Sequence, residues 1–150
     1  MKIFLGADHG GFYLKEQLET YLSKVGYEVQ DEGNHTLDPD DDYPQFAAKV
    51  ANKVLEADDK DARGIIVCTG AQGVAIAANR YKGIRASVVW DAHEAKMTRN
   101  DNDSNILCLP GRLMADNSEL WQGVLETWLS TPFSRAARHR RRIDELDKLG

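Results

Sequence analysis

The chain is poor in cysteine and proline, has no excess of positive charge, and holds no long apolar run. Two cysteines, Cys68 and Cys108, in 150 residues are too few for a disulfide framework, and neither lies in a CxxC or Cys/His spacing that holds zinc. Both are read as free thiols. A net charge of −5 with a pI near 5.3 argues against a broad basic face for nucleic acid or an anionic membrane, so the expected ligand is a small molecule. No apolar stretch approaches the roughly 18–20 residues of a membrane span, and Met1–Leu5 runs into Gly6-Ala7-Asp8 without a signal-peptide pattern; a cytoplasmic location is expected. Neither 6–11 nor 70–73 forms GxGxxG or a Walker GKS/T, which leaves a dinucleotide or nucleoside triphosphate site unsupported. His35, His93 and His139 are scattered, each expected at the surface, and they suggest no metal site.

What is present is the balance of a globular chain, 42% hydrophobic and 29% charged, read as a single domain over residues 1–150. Short β-rich runs alternate with helical patterns throughout. Lys2–Ala7 is an apolar run; Leu14, Leu18, Tyr21, Leu22 and Val25 follow at helical spacing, closed by Gly26. Tyr27–Gln30 is a weaker strand, and the acidic stretch 37–42 is a surface loop ending at Tyr43-Pro44, which opens a helix. Gly64–Cys68 is continuously apolar, as a strand covered on both faces must be. A small-residue helix over 74–79, a strand over 84–89, a capping box at Asp91–Glu94, a strand over 105–109, a helix over 117–129 and a last helix over 134–149 complete the series. Trp90, Trp121 and Trp128 are read as packing residues. The rhythm predicts a doubly wound Rossmann-like parallel sheet of about five strands with helices on both faces. Ligands of such sheets bind at the carboxyl ends of the strands, here after the first, third and fifth.

Two clusters could carry chemistry. Cys68 heads the turn Thr69-Gly70-Ala71-Gln72-Gly73 before a helix, where amides converge on an anion and a thiol pKa is lowered toward neutrality. By type and position alone, Cys68 reads first as a small apolar residue closing a core strand. Arg138 and Arg142 stand i,i+4 on the last helix, with Arg135 near the same stripe, and could grip a phosphate dianion; such a run is ordinarily a solvated face. That helix has so few apolar residues that it is expected to pack on a partner subunit.

The motifs resemble, over nearly the full length, the type B ribose-5-phosphate isomerase family, which includes the galactose-6-phosphate isomerase subunits. The resemblance rests on Gly6–Lys15, Asp42-Tyr43-Pro44, Gly64–Cys68 with Gly73 and Ile76–Arg80, Gly83–Ala86, Thr98-Arg99, Asn102–Leu107 and Gly111-Arg112. It implies an aldose–ketose isomerase of phosphorylated sugars, an intramolecular oxidoreductase of carbohydrate metabolism. It further implies no metal or organic cofactor, and a homodimer or dimer of dimers with sites at the subunit interface. Carried over by position, Cys68 is the general base that moves a proton between C1 and C2 through a cis-enediolate, with Thr69 and Asp101 in the catalytic group. The amides of Gly70, Ala71 and Gly73 form the anion hole. Asp8 and Tyr43 contact the sugar, Asn102 lies near the reacting carbons, and His9, Arg112, Arg138 and Arg142 hold the phosphate.

The chain departs from the family in two places. The usual Gly-Thr-Gly-Val-Gly after the cysteine is here Thr69–Gly73, and Asp101 stands where the family carries a ring-opening histidine. An ordinary carboxyl, with a pKa near 3.9, is ionised at neutral pH and does not donate a proton as imidazole does. The expectation is a substrate needing little enzymic ring opening, such as a four-carbon sugar phosphate, unless Asp101 is shifted in pKa or His93 swings in. A non-catalytic sugar-phosphate-binding member of the family is the alternative.

Overall fold

Successive side chains on a strand point to opposite faces, and on the central strands here both directions are apolar. In the computed structural model, which describes residues 1–150, five strands form one all-parallel sheet: β1 (Lys2–Ala7), β2 (Glu28–Asp31), β3 (Arg63–Cys68), β4 (Ala86–Val88) and β5 (Ile106–Pro110). Their order is β2-β1-β3-β5-β4. Ile3, Leu5, Ala7, Ile65, Val67, Leu107 and Leu109 face one side, beneath α1 (Phe12–Lys24) and α6 (Ser118–Ser130). Phe4, Ile66, Ile106 and Cys108 face the other, beneath α2 (Tyr43–Glu56) and α3 (Gln72–Ala78). The doubly wound sheet expected from the sequence is the one observed. The remaining helices are α4 (Ala92–Asn102), the short α5 (Gly111–Met114) and α7 (Ala137–Leu146). No helix is long and apolar enough to cross a membrane.

Side-chain caps fix the starts of two helices. Asp91 caps α4 by accepting the Glu94 N–H at 2.8 Å, and Asn117 caps α6 by accepting that of Leu120 at 3.1 Å. Trp121 and Trp128 are buried in the core, but Trp90 is half exposed, which corrects its reading as a packing residue. The fourth strand is shorter than expected because Ile84 closes a turn onto the Tyr81 carbonyl instead of joining the sheet. The last helix begins at Ala137, not Ser134: Arg135 takes the left-handed conformation, with φ 56°, so it leaves the stripe of Arg138 and Arg142. His139 is buried rather than exposed, its Nδ1 2.7 Å from Ser134 Oγ, and through it α7 packs against α4 of its own chain.

The strands come close at glycines. A Cβ on Gly11 would run into the Val67 carbonyl, backbone that has no room to yield, whereas one on Gly123, midway along α6, would meet open space. Gly11→Ala is therefore expected to lower stability by about 1–3 kcal/mol, and Gly123→Ala to be neutral or stabilising by about 0.5–1 kcal/mol. Urea denaturation checks both; equal midpoints for the two variants would contradict the close approach.

Candidate active site

In the order β2-β1-β3-β5-β4 the chain leaves β1 toward one edge of the sheet and leaves β3 toward the other, so the crevice opens at the carboxyl ends of β1 and β3. Asp8 and His9 follow β1 there. Cys68 ends β3, and its register partner Pro110 ends β5. Three turns meet because their contact points lack side chains: a Cβ on Gly111 would stand 2.8 Å from the Gly10 carbonyl. Arg112 N–H donates to the Thr69 carbonyl at 3.0 Å, and its Nη2 lies 2.9 Å from where a Cβ on Gly70 would stand. The Tyr43 ring, at the start of α2, comes within 2.7 Å of a Cβ placed on Gly73. Asp8, His9, Tyr43, Cys68, Thr69, Gly70, Ala71, Gly73 and Arg112 are thus gathered at one edge.

The electrostatics of this edge run in two directions. Burial pushes the half-buried Cys68 thiol above its usual range, and the adjacent Asp8 carboxylate acts in the same sense; the Gly70 and Ala71 amides oppose both and lose. The expected lowering toward neutrality therefore does not hold in the single chain. The helix behind the turn spans only 72–78 and is preceded by Ala71 in a left-handed conformation, φ 66°. His9 behaves oppositely. Its Nδ1 lies 2.7 Å from Asp41 Oδ1, which also accepts the His9 backbone N–H at 3.0 Å, and this contact raises the imidazole pKa. Burial alone would push the Asp41 carboxyl up, but hydrogen bonds from His9 and Asn34 prevail and hold it below the usual range. Asp8, His9 and Asp41 bring possible ligand atoms within 4.8 Å of one another, yet the His9 nitrogen is already committed to Asp41.

Four expected residues lie elsewhere. The Asn105 carbonyl accepts the Gly64 N–H at the start of β3, so α4 ends at the amino edge of the sheet, the length of β3 away from Cys68. Asp101 and Asn102, in the last turn of α4, are therefore remote from the thiol of their own chain. Arg138 and Arg142 are exposed on α7 and form no ion pair. His93 is exposed at the other end of α4. Two pairings are not legible in the sequence: Asp41 lies within an acidic loop with nothing there to pair it with His9, and His139 Nε2 lies 3.7 Å from Asp101 Oδ1. Gln72, a side chain that the sequence adds to the turn after Cys68, reaches back so that its Oε1 is 2.6 Å from a Cβ on Gly70. Each contact bridges residues whose relation only folding reveals, apart from the local reach of Gln72.

Residues 3–146 match the sequence model of a family described as Ribose/Galactose Isomerase. Ribose-5-phosphate isomerase B of Mycolicibacterium paratuberculosis is 35% identical over 146 residues, covering 97% of this chain and 89% of that protein. The Escherichia coli protein of the same name is 34% identical over 145 residues, covering 97% and 93%. Among solved structures, a ribose 5-phosphate isomerase from Thermotoga maritima superposes with a TM-score of 0.90 at 43% identity, covering 99% of this chain and 98% of that one. Ribose-5-phosphate isomerase B from Mycoplasma genitalium, solved with bound ribulose-5-phosphate, superposes at 0.91 with 35% identity, covering 98% and 94%.

The Asp41 contact makes a direct prediction. Because the carboxylate raises the His9 pKa, Asp41→Asn lowers it, and the imidazolium is lost at a lower pH as the solution is made alkaline. An NMR titration of the His9 ring reads this; an unchanged midpoint would show that Asp41 does not govern its charge.

Proposed function

This chain belongs to the ribose/galactose isomerase family, and we propose that it interconverts an aldose phosphate and a ketose phosphate at a site built by two copies of the chain. The observation that carries this reading is the meeting of the Cys68 thiol, the amide turn of 69–73, His9 and Arg112 at the topological switch point. As thiolate, Cys68 takes the proton from C2 of the aldose. The C–H electron pair becomes the C1–C2 double bond as the π pair of the C1 carbonyl moves onto O1, giving a cis-enediolate whose oxygens face the Gly70, Ala71 and Gly73 amides. A hydroxyl proton passes from O2 to O1, the charge left on O2 forms the C2 carbonyl, and the C1–C2 π pair takes the proton back from the thiol at C1. Asp8 and Tyr43 border the sugar, with Thr69 beside the base, while His9 and Arg112 hold the phosphate.

Asp101, Asn102, Arg138 and Arg142 complete the site from a second copy. One chain cannot bring them to its own thiol, because roughly 16 Å of β3 separates the two edges. In a two-fold dimer the amino edge of one sheet and the carboxyl edge of the other can face each other. Asp101 remains the departure that bears on the substrate. A lone carboxylate favours a substrate that enters open-chain, such as a four-carbon sugar phosphate, whose terminal phosphate blocks ring closure. His139 Nε2, 3.7 Å from Asp101 Oδ1, brings an imidazole beside that position, and proton donation by this histidine is the other route to ring opening.

Cys68→Ala is expected to lower kcat by at least about 10²–10⁴-fold while binding of a phosphorylated sugar persists. Activity of the unaltered chain is expected to rise with pH through the elevated thiol pKa. Mixing inactive Cys68→Ala with inactive Asn102→Ala chains should restore part of the turnover, since a mixed dimer regains one intact site. No recovery would remove the two-copy site, and an unaltered chain without turnover on any sugar phosphate would leave a binding protein instead. Comparing kcat/KM for ribose 5-phosphate and erythrose 4-phosphate separates the substrates: preference for the pentose rules out the open-chain reading.

A further inference from the structure

The amino edge of the sheet, opposite the thiol, holds a second feature that the isomerase reading does not use. A cavity of about 650 Å³ lies between the end of α2, the start of β3 and the connection from α6 to α7. Arg63, Arg85, Arg99, Arg135 and Lys60 line it, in a protein whose net charge is −5. The facing carboxylates are Asp59, Asp61 and Asp103. Two of them are already engaged. Asp103 pairs with Arg99 Nη1 at 2.8 Å and Arg85 Nη2 at 3.3 Å, and Asp59 accepts the backbone N–H groups of Lys2 at 3.0 Å and Asp61 at 2.9 Å. Asp61 alone is left to face Arg63, Arg135 and Lys60.

Arg63 decides the chemistry. It is 8% exposed, its Nη1 donates to the carbonyls of Trp128 at 2.8 Å and Leu129 at 3.3 Å, and its guanidinium lies 5.1 Å from the Trp128 ring. No carboxylate lies within ion-pair distance of it. Burial, and then the charge of neighbouring Arg99, pushes its pKa down to about 10, which still leaves it cationic at neutral pH. A buried cation without a counterion is costly unless something supplies the negative charge. Its remaining N–H groups are not sealed off, and the side chain forms part of the cavity wall. Planar guanidinium forks are the groups best suited to phosphate oxygens.

We propose that this cavity, lined by none of the residues assigned to catalysis, is a second phosphate-binding site in which Arg63 and Arg135 grip a phosphate that is either free or carried on a small metabolite. The volume exceeds that of an inorganic ion and falls within the range of small-ligand sites. Calorimetric titration of the intact protein with inorganic phosphate and, separately, with glycerol 3-phosphate distinguishes the two sources. The expected result is a phosphate site that survives Arg112→Ala, a substitution confined to the catalytic edge. Arg63→Gln should abolish that surviving site while kcat/KM for the sugar phosphate stays within about twofold. Arg135→Asn guards against a folding defect. The residue is exposed and left-handed at φ 56°, a conformation asparagine tolerates, and its substitution should weaken the same site about tenfold. Tighter binding of glycerol 3-phosphate identifies a metabolite site, and equal or weaker binding identifies a site for the free anion. Loss of all phosphate binding in Arg112→Ala, or affinity unchanged in both arginine variants, would overturn the proposal.

Discussion

The close approach of three backbone turns is the constraint on which the rest of the structure depends. β1, β3 and β5 lie side by side, and the segments leaving them touch where Gly10, Gly11 and Gly111 present no side chain. That contact sets Asp8 and His9 beside the Cys68 turn and brings Arg112 over Gly70. Parallel strands make it possible, since every strand then releases its chain at the same edge. The glycines convert shared direction into atomic contact. Gly73 does the same for Tyr43, whose ring occupies the space that a side chain there would fill.

The charge distribution follows from this geometry. At the carboxyl edge, an anionic ligand would meet a histidine whose pKa is raised by Asp41 and a thiol whose pKa is raised by burial and Asp8. The first change favours phosphate, because it keeps the imidazole cationic to higher pH. The second disfavours the thiolate and makes the surroundings of Cys68 part of its chemistry. Sealing the edge with a second copy carrying Arg138 and Arg142 would add positive charge where the single chain has little.

The two edges of β3 also differ in kind. Cys68 ends the strand at an open turn, whereas Arg63 begins it under α6, held by the Trp128 and Leu129 carbonyls. Both are polar groups at the limits of an otherwise sealed apolar strand, and each faces a place where solvent or ligand can reach it. The interior residues, Ile65, Ile66 and Val67, are fully buried and leave no polar route between them.

Much of this was legible in the residues alone. An unbroken apolar run such as 64–68 demands cover on both faces, and helical spacing at Leu14, Leu18 and Leu22 shows one face of a helix buried, because these are local periodicities set by backbone geometry. The thiol, its amide turn and the residues after β1 and β5 were found the same way, since the fold places strand ends together. Other features depended on contacts across long stretches of chain. Pairing of His9 with Asp41, of Asp101 with His139, and the burial of Arg63 beneath Trp128 join residues that no local pattern relates. The direction of the Cys68 shift was likewise beyond sequence, because it is a contest between desolvation and amide donors, and only packing determines how much water the sulfur keeps.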